Sequence, residues 1–411
     1  MSSSYRLAGI DVHKSVLAVV VSELSEQGEF TFQRRKFGVL DSDLKALSQW
    51  FQELEVREAV MESTAQYWRP VWRALEAQCA LHLAQAQSNR APRGRKGDFR
   101  DAERLVRRHV AGELILSFVP DPTQRLWRTI TRTKYQLSRD RVRLQNQLEA
   151  HLEDAHLKLG ACVSDLLGVS SLRILSAIAK GEKDPTVLAL LGEENLKATA
   201  EQLADGLQAV STLSPLHRQI LRLFLERVEL IDRQLQTLHQ QIAHALHEYQ
   251  QAVTRLAAIP GLGIDSAQQI IAEIGPGAAK FDSAEQLASW VGVCPGREES
   301  AEVSKSNRSP KGNRMMRRVL SQAANAAVRS KGSIFQLHYR RLVSRMGHNK
   351  AIWAIAHRLC RIAWILLHRG VDYIEHGAER NAAALRRRTT RQLRELRALG
   401  YQILPPATQC A

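Results

Sequence analysis

The sequence predicts three successive architectures: an α/β N-terminal domain, an antiparallel coiled-coil middle, and an all-α C-terminal domain containing a helix-hairpin-helix-like element. Three observations lead there. Residues 5–118 alternate strand-like and helix-like hydropathy patterns. Two long polar segments carry a narrow apolar stripe. The stretch from about residue 250 to Tyr373 is helical around one Gly-rich turn. A chain of 411 residues is longer than one hydrophobic core needs, so two or three structural units are expected. The boundaries fall at 1–122, 123–250, 251–378 and, for a basic tail, 379–411.

In the first region, "LAGIDVHKSVLAVVVSE" and "GEFTFQRRKFGV" read as hairpin strands, followed by a helix around "SDLKALSQWFQEL". A short apolar strand "EAVMES", a helix "YWRPVWRALEAQ", a strand "LHLAQAQ" and a helix from Asp98 complete the order βββαβαβα. That order is the ribonuclease H-like arrangement, in which metal-binding carboxylates sit on the first strand, at the end of the fourth and on the last helix.

The middle region runs from Leu126 to about Leu159 and resumes from Ile220 to about Leu246. In its second arm Phe224, Val228, Ile231, Leu235, Leu238, Ile242 and Ala245 alternate spacings of four and three, which is a heptad seam. The two arms are expected to form an antiparallel hairpin, with residues 163–215 as a helical insertion near its tip. Further on, "LAAIPGLGIDSAQQIIAEIG" sets Gly261 and Gly263 between helices, where backbone N–H groups can meet phosphates. The alternative is a plain packing joint.

A formal charge of +16 calls for a polyanionic partner, and nucleic acid is the first candidate. Basic runs at Arg90–Arg108, which includes Arg93, Arg95 and Lys96, at Arg308–Arg318 and at Arg386–Arg397 are the expected contacts. A membrane is not expected: "AIWAIAHRLCRIAWILL" is interrupted by His357, Arg358 and Arg361 and reads as a buried helix. The N-terminus lacks a basic segment followed by a long apolar one, so a cytoplasmic, nucleoid-associated protein is expected. Five cysteines lie far apart without C-x-x-C spacing, which argues against a disulfide framework and against a zinc site.

The acids carry the chemistry. Asp11 lies in an apolar strand, where a lone carboxylate is costly unless it is paired or binds metal; a pair with His13 or Lys14 is the plain alternative. Glu62 ends the strand "EAVMES". Asp98 and Asp101 share a helix face, either as surface partners of Arg100 and Arg104 or as ligands. Four converging carboxylates raise one another's proton affinity, so the set makes sense with divalent cations. Hard oxygen ligands suit Mg²⁺ (or Mn²⁺), and two such ions can clamp a phosphodiester during displacement.

Five stretches, "GIDVHKSVLAVVV", "AVMESTAQYWRPVW", "GRKGDFRDAERL", "GVCPGREESAEVSKSNRSPKGNRMMRR" and "KAIWAIAHRL", resemble the DEDD-type transposases of bridge-RNA (seek-RNA) insertion sequences. The resemblance implies a RuvC-like N-terminal domain whose D, E, D, D ligands are Asp11, Glu62, Asp98 and Asp101. It implies a catalytic serine at Ser300, with Ser304 as the alternative. The polar loop around them holds Arg297, Lys305, Arg308, Lys311, Arg314, Arg317 and Arg318, a cluster suited to a DNA backbone. The implied protein is an RNA-guided recombinase that works as a homo-oligomer with a non-coding guide RNA and with target and donor DNA. Alternatives are a metal-dependent junction nuclease using water, and a non-catalytic nucleic-acid-binding protein.

Overall fold

The computed structural model describes residues 5–24, 29–63, 65–86, 88–89, 97–193, 196–296, 298–300, 303–306 and 309–376, with 386, 389–391, 393 and 394 of the tail. The chain divides into two compact units, Met1–Asp121 and Pro122–Ala411.

In the first unit β1 (Arg6–Val12), β2 (Leu17–Leu24) and β3 (Phe30–Phe37) form an antiparallel meander. Helix α1 (Asp41–Glu53) returns the chain to β4 (Glu58–Ser63), parallel to β1, and α2 (Trp68–Leu75) to β5 (Ala80–Ala84), parallel to β4. Then come α3 (Asp98–Val110) and a short antiparallel edge strand, β6 (Leu116–Ser117). The sheet order is β3-β2-β1-β4-β5-β6. The mixed α/β order read from the sequence is therefore present, with β6 added; two residues are too few to show a period.

The central strands read as continuous apolar runs because both faces of the sheet are covered. One face, with Ala8, Ile10, Val19, Val21 and Met61, packs on Leu47, Trp50 and Phe51 of α1 and on Val71 and Leu75 of α2. The opposite face packs Leu7 and Val20 on Ala102 and Val106 of α3, and Val60 and Ala84 on Leu105. Alternation along the strand then turns Gly9 and Asp11 toward α3, with Leu7.

Gly9 sets how closely that helix approaches. A Cβ there would stand 2.3 Å from the Ala102 carbonyl oxygen and 2.8 Å from Val106 Cγ2. The absent side chain lets α3 lie on β1, two residues from Asp11. Gly9→Val is expected to cost about 1–3 kcal/mol of stability by overpacking, read from the urea midpoint. Displacement of α3 should also remove the divalent-dependent activity proposed below.

The second unit begins with α4 (Pro122–Asp154), followed by α5 (Leu159–Cys162), α6 (Val169–Lys180), α7 (Pro185–Ala189), α8 (Ala200–Gly206) and α9 (Pro215–Ala245). Helices α4 and α9 pack along each other. Of the expected seam residues, Val228 and Ile242 are buried and Phe224, Ile231, Leu235, Leu238 and Ala245 are half-buried. The intervening helices share a core with the ends of this pair, in which Leu144, Leu148 and Leu152 meet Ile174, Leu175 and Ile178. Asp232 receives two hydrogen bonds from Arg141 across the pair, at 2.6 and 3.3 Å.

The remainder comprises α10 (Gln250–Ala257), α11 (Ile264–Ile274), α12 (Ala284–Val291), β7 (Glu298–Ser300), β8 (Val303–Ser306), α13 (Arg314–Ala327) and α14 (Ile334–Arg369). Helix α14 is broken at Gly347, whose φ is 76°. The β7–β8 hairpin corrects the all-α expectation for this region: "EESAEVSKS" is polar on both faces and gives no apolar period. By length and apolarity α14 could cross a membrane, but 56% of its apolar window is buried within the protein, as the reading of a buried helix anticipates.

A polar knot joins α4, α11 and α13. Glu273 is only 2% exposed and accepts hydrogen bonds from Arg132 Nε and Nη2 at 2.9 and 3.0 Å and from Asn313 Nδ2 at 2.9 Å. Arg128 Nε lies 3.4 Å from the same carboxylate. Nearby, Lys134 is buried and paired with Asp265. Burial, reinforced by the charge of Arg318, lowers the Lys134 ammonium to about 8.

Candidate active site

Asp11 and Glu62 face each other in the parallel register of β1 and β4. Asp98 and Asp101 occupy the first turn of α3, where the helix N-terminus favours negative charge. The Asp101 N–H donates to the Gly97 carbonyl at 2.8 Å, which closes that turn. Register and helix start thus bring all four predicted acids to one end of the sheet, on the face that α3 covers.

Their electrostatics agree. The Asp11 carboxyl is pushed up from its ordinary value, first by burial; His13 pulls it down, and Asp101, Glu62 and Asp98 each push it further up. Three acids therefore act on Asp11, and the four form one electrostatic cluster.

Each acid also has a protein partner. His13 Nε2 lies 3.1 Å from Asp11 Oδ2 and 3.8 Å from Asp98 Oδ1, bridging the two. Lys36 Nζ lies 3.4 Å from Asp98 Oδ2. Asn89 Nδ2 donates to Glu62 Oε2 at 2.6 Å. Arg104 pairs with Asp101, and its Nε reaches the Asn89 carbonyl and side-chain oxygens at 3.3 Å each. The ligand atoms of Asp11, His13 and Asp98 all lie within 4.8 Å of one another. Asn89 and Arg104 hold Glu62 and Asp101 from the other side.

This donor set fits a hard divalent cation. Four carboxylates face two fixed cations, Lys36 and Arg104, so negative charge remains in excess, and oxygen donors of this kind suit Mg²⁺ or Mn²⁺. Asp11, Glu62, Asp98 and Asp101 are the residues that would hold such ions.

The sequence pointed to His13 and Arg104 only as ion-pair partners, and both do pair. It missed Lys36 and Asn89. A signal existed for Lys36: the two-residue period of β3 puts Phe30, Phe32, Arg34 and Lys36 on one face, where Phe30 and Phe32 pack by α3 and Arg34 pairs with Glu103. Asn89 follows β5 in a polar stretch without any period.

The other predicted residues fare differently. Arg93, Arg95, Lys96, Arg297 and Arg308 lie outside the described residues. Ser300 ends β7, paired with Val303, while Ser304 on β8 pairs with Glu299; for Lys305, also on β8, only the backbone is described. Lys311 and Arg314 are exposed. Arg317 instead donates to the carbonyls of Gly292 and Pro310 and stacks 4.4 Å over Trp353. Arg318 donates to Gln269 and Gln322 and stacks 4.1 Å over Tyr135.

The two glycines also differ. A Cβ on Gly261 would stand 2.4 Å from the Ala323 carbonyl oxygen of α13, so this glycine serves a close helix contact. Gly263 precedes α11, is exposed and has open space around it. Among the described residues the thiols are poorly suited as nucleophiles: burial pushes Cys79 up to about 11 and raises Cys162, Cys294 and Cys360 as well.

Comparison with known proteins gives matches in both units. A family model named DEDD_Tnp_IS110 and described as a transposase matches residues 8–157, and one described as the transposase IS116/IS110/IS902 family matches residues 253–340. The chain is 24% identical over 192 residues to an uncharacterized 42 kDa protein of insertion element IS900 from Mycobacterium paratuberculosis, covering 46% of this chain and 47% of that one. It is 31% identical over 123 residues to the transposase for insertion sequence element IS1111A of Coxiella burnetii, covering 29% of this chain and 34% of that one. The chain thus spans about half or less of the length of these curated relatives. The first family match takes in all four acids and the second takes in Ser300, so each part of the chain is similar to transposases of the IS110/IS116 type.

Proposed function

We infer that the chain is an RNA-guided site-specific DNA recombinase that cuts and rejoins strands through a metal-bound acidic site and a serine nucleophile. The observation that carries this reading is the convergence of Glu62, Asp98 and Asp101 on the half-buried Asp11 carboxylate. The similarity to transposases supports DNA as substrate. Bound Mg²⁺ or Mn²⁺ would neutralise charge on the phosphodiester and favour ionisation of an attacking hydroxyl.

The chain's own groups do the rest. Ser300 Oγ attacks the phosphorus, forming a serine–phosphate bond as the bond to one flanking nucleoside oxygen breaks. The serine proton passes to water, and the departing oxygen takes up a proton to leave a free hydroxyl. Attack by the partner strand's hydroxyl reverses the step, restores Ser300 and joins new strands. His13, between Asp11 and Asp98, holds both carboxylates toward the reacting centre.

Other features find places in this scheme. Helices α4 and α9 serve as the coiled-coil hairpin of the 123–250 domain. Helices α10 and α11 serve as a helix-hairpin-helix whose exposed Gly263 meets phosphate. The protein works in the bacterial or archaeal cytoplasm, on the nucleoid, as a homo-oligomer, because joining two duplexes needs at least two active sites.

The testing experiment is strand exchange between two duplexes carrying element-end and target sequences, with the element's non-coding RNA and Mg²⁺. Recombinant products in the presence of RNA, and none without it, are expected; products independent of RNA would overturn the guided reading. Binding to RNA and DNA should also weaken steeply between 50 and 200 mM salt, by roughly a thousandfold if about six phosphates are contacted. Truncation after Gly377 should flatten that slope while leaving thermal unfolding unchanged, measured by filter binding and calorimetry.

A further inference from the structure

At the opposite end of α3 lies a second group of ligand-type side chains that the acidic site does not use. Glu58 begins β4, His82 sits on β5 opposite Val60, and His109 lies in the last turn of α3. His82 Nε2 is 2.6 Å and His109 Nε2 2.8 Å from the same oxygen, Glu58 Oε1. The two rings are 4.6 Å apart. The Tyr5 hydroxyl donates to the other carboxylate oxygen. Side-chain exposures of 29% for His82, 15% for His109 and 19% for Glu58 put the group in a sheltered recess with access to water.

We propose that Glu58, His82 and His109 form a second metal site, of the zinc type, distinct from the acidic site. Two imidazoles and one carboxylate are the donor set of a borderline-soft ion, whereas an all-carboxylate set takes a hard one. As a purely hydrogen-bonded knot, two ring N–H groups must crowd onto one oxygen. With an ion, each Nε2 presents a lone pair and the proton resides on Nδ1. Zinc–ligand bonds of about 2.1 Å in tetrahedral geometry would part the three atoms to about 3.4 Å. Side-chain rotation of roughly half an ångström at each group achieves that opening. Tyr5 is placed as the outer partner that orients the carboxylate, and water completes the fourth position.

The three ligands come from β4, β5 and α3, so the ion would pin the C-terminal end of α3 to the sheet. Asp98 and Asp101 lie at the other end of that helix, and Glu62 lies four residues beyond Glu58 on the same strand face. Its consequence for the acidic site is positional: the clamp fixes where α3 presents its aspartates. This site stands on its own geometry and does not depend on the recombinase reading.

The test uses the full chain, stripped with EDTA and back-titrated with ZnCl₂ under excess Mg²⁺, followed by metal analysis and thermal unfolding. One zinc per chain is expected in wild type and in Asp11→Ala, with a raised unfolding temperature. His82→Gln and His109→Gln should lose the bound zinc and the thermal shift, and Tyr5→Phe should weaken zinc affinity by roughly tenfold. Equal zinc retention by wild type and both histidine variants would overturn the site, as would no zinc retained by wild type under excess Mg²⁺. Should a histidine variant fail to fold, wild-type stoichiometry together with the Tyr5→Phe affinity decides the question.

Discussion

Asp11→Asn is expected to abolish strand cleavage, lowering its rate by more than about 100-fold, the upper end of what loss of a supporting outer partner costs. Asp98→Asn, Asp101→Asn and Glu62→Gln should behave alike, since each removes one of the few charges that can hold a divalent ion at the scissile phosphate. RNA and DNA affinity should remain near wild type, because phosphate binding rests on the basic surface. Stability should move the other way. Asp11 is largely buried among three acids that repel it, so its amide analogue should raise the thermal midpoint in cation-free buffer. Melting curves with and without Mg²⁺ check this: the divalent ion should stabilise wild type and do little for the variant. Loss of cleavage with an equal loss of RNA binding and a lowered midpoint would mean that the acids hold the fold rather than an ion.

Ser300→Ala is expected to remove every covalent protein–DNA adduct, whereas Ser304→Ala should keep it. An unactivated serine hydroxyl is a weak nucleophile and gains from a nearby metal ion or base. The acids and the serine belong to different units of the chain, with about two hundred residues between Asp101 and Ser300. A site assembled from two protomers would keep isolated chains from nicking DNA. Mixing inactive Ser300→Ala with inactive Asp11→Ala should then restore part of the cleavage. No recovery despite mixed assembly would mean that each chain builds its own site. Continued cleavage by Ser300→Ala without an adduct would favour water as nucleophile, and an adduct mapped to Ser304 would reassign the serine.

The sequence was most legible where a period repeats. The alternation of strands and helices gave the order of the first unit, and the apolar run of β2 followed from a sheet covered on both faces. Asp11, Glu62, Asp98 and Asp101 were readable because strand ends and a helix start carry them to one place. Short elements escaped: β6 has two residues, and the β7–β8 hairpin has no apolar face. Charge alone does not show that Arg317 and Arg318 also donate to the protein's own carbonyl and amide oxygens. Gly261 could be read as a phosphate turn or as a packing joint, and α13 does come close there. Glu58, His82 and His109 were invisible because they stand far apart in sequence, on two strands and a helix, and only the packing of α3 on the sheet unites them. Ser300 was readable through resemblance alone, since a serine in a polar stretch carries no signal of its own.

The central claim is that divalent cations held by the four acids drive the strand chemistry. The most direct measurement is cleavage of element-end DNA by the full chain with the proposed guide RNA, in Mg²⁺, in EDTA and after Mg²⁺ is restored. Cleavage and covalent adduct are expected in Mg²⁺, should vanish in EDTA and should return with the ion, while binding of RNA and DNA continues throughout. Cleavage that persists in EDTA at the rate seen in Mg²⁺ would contradict the account.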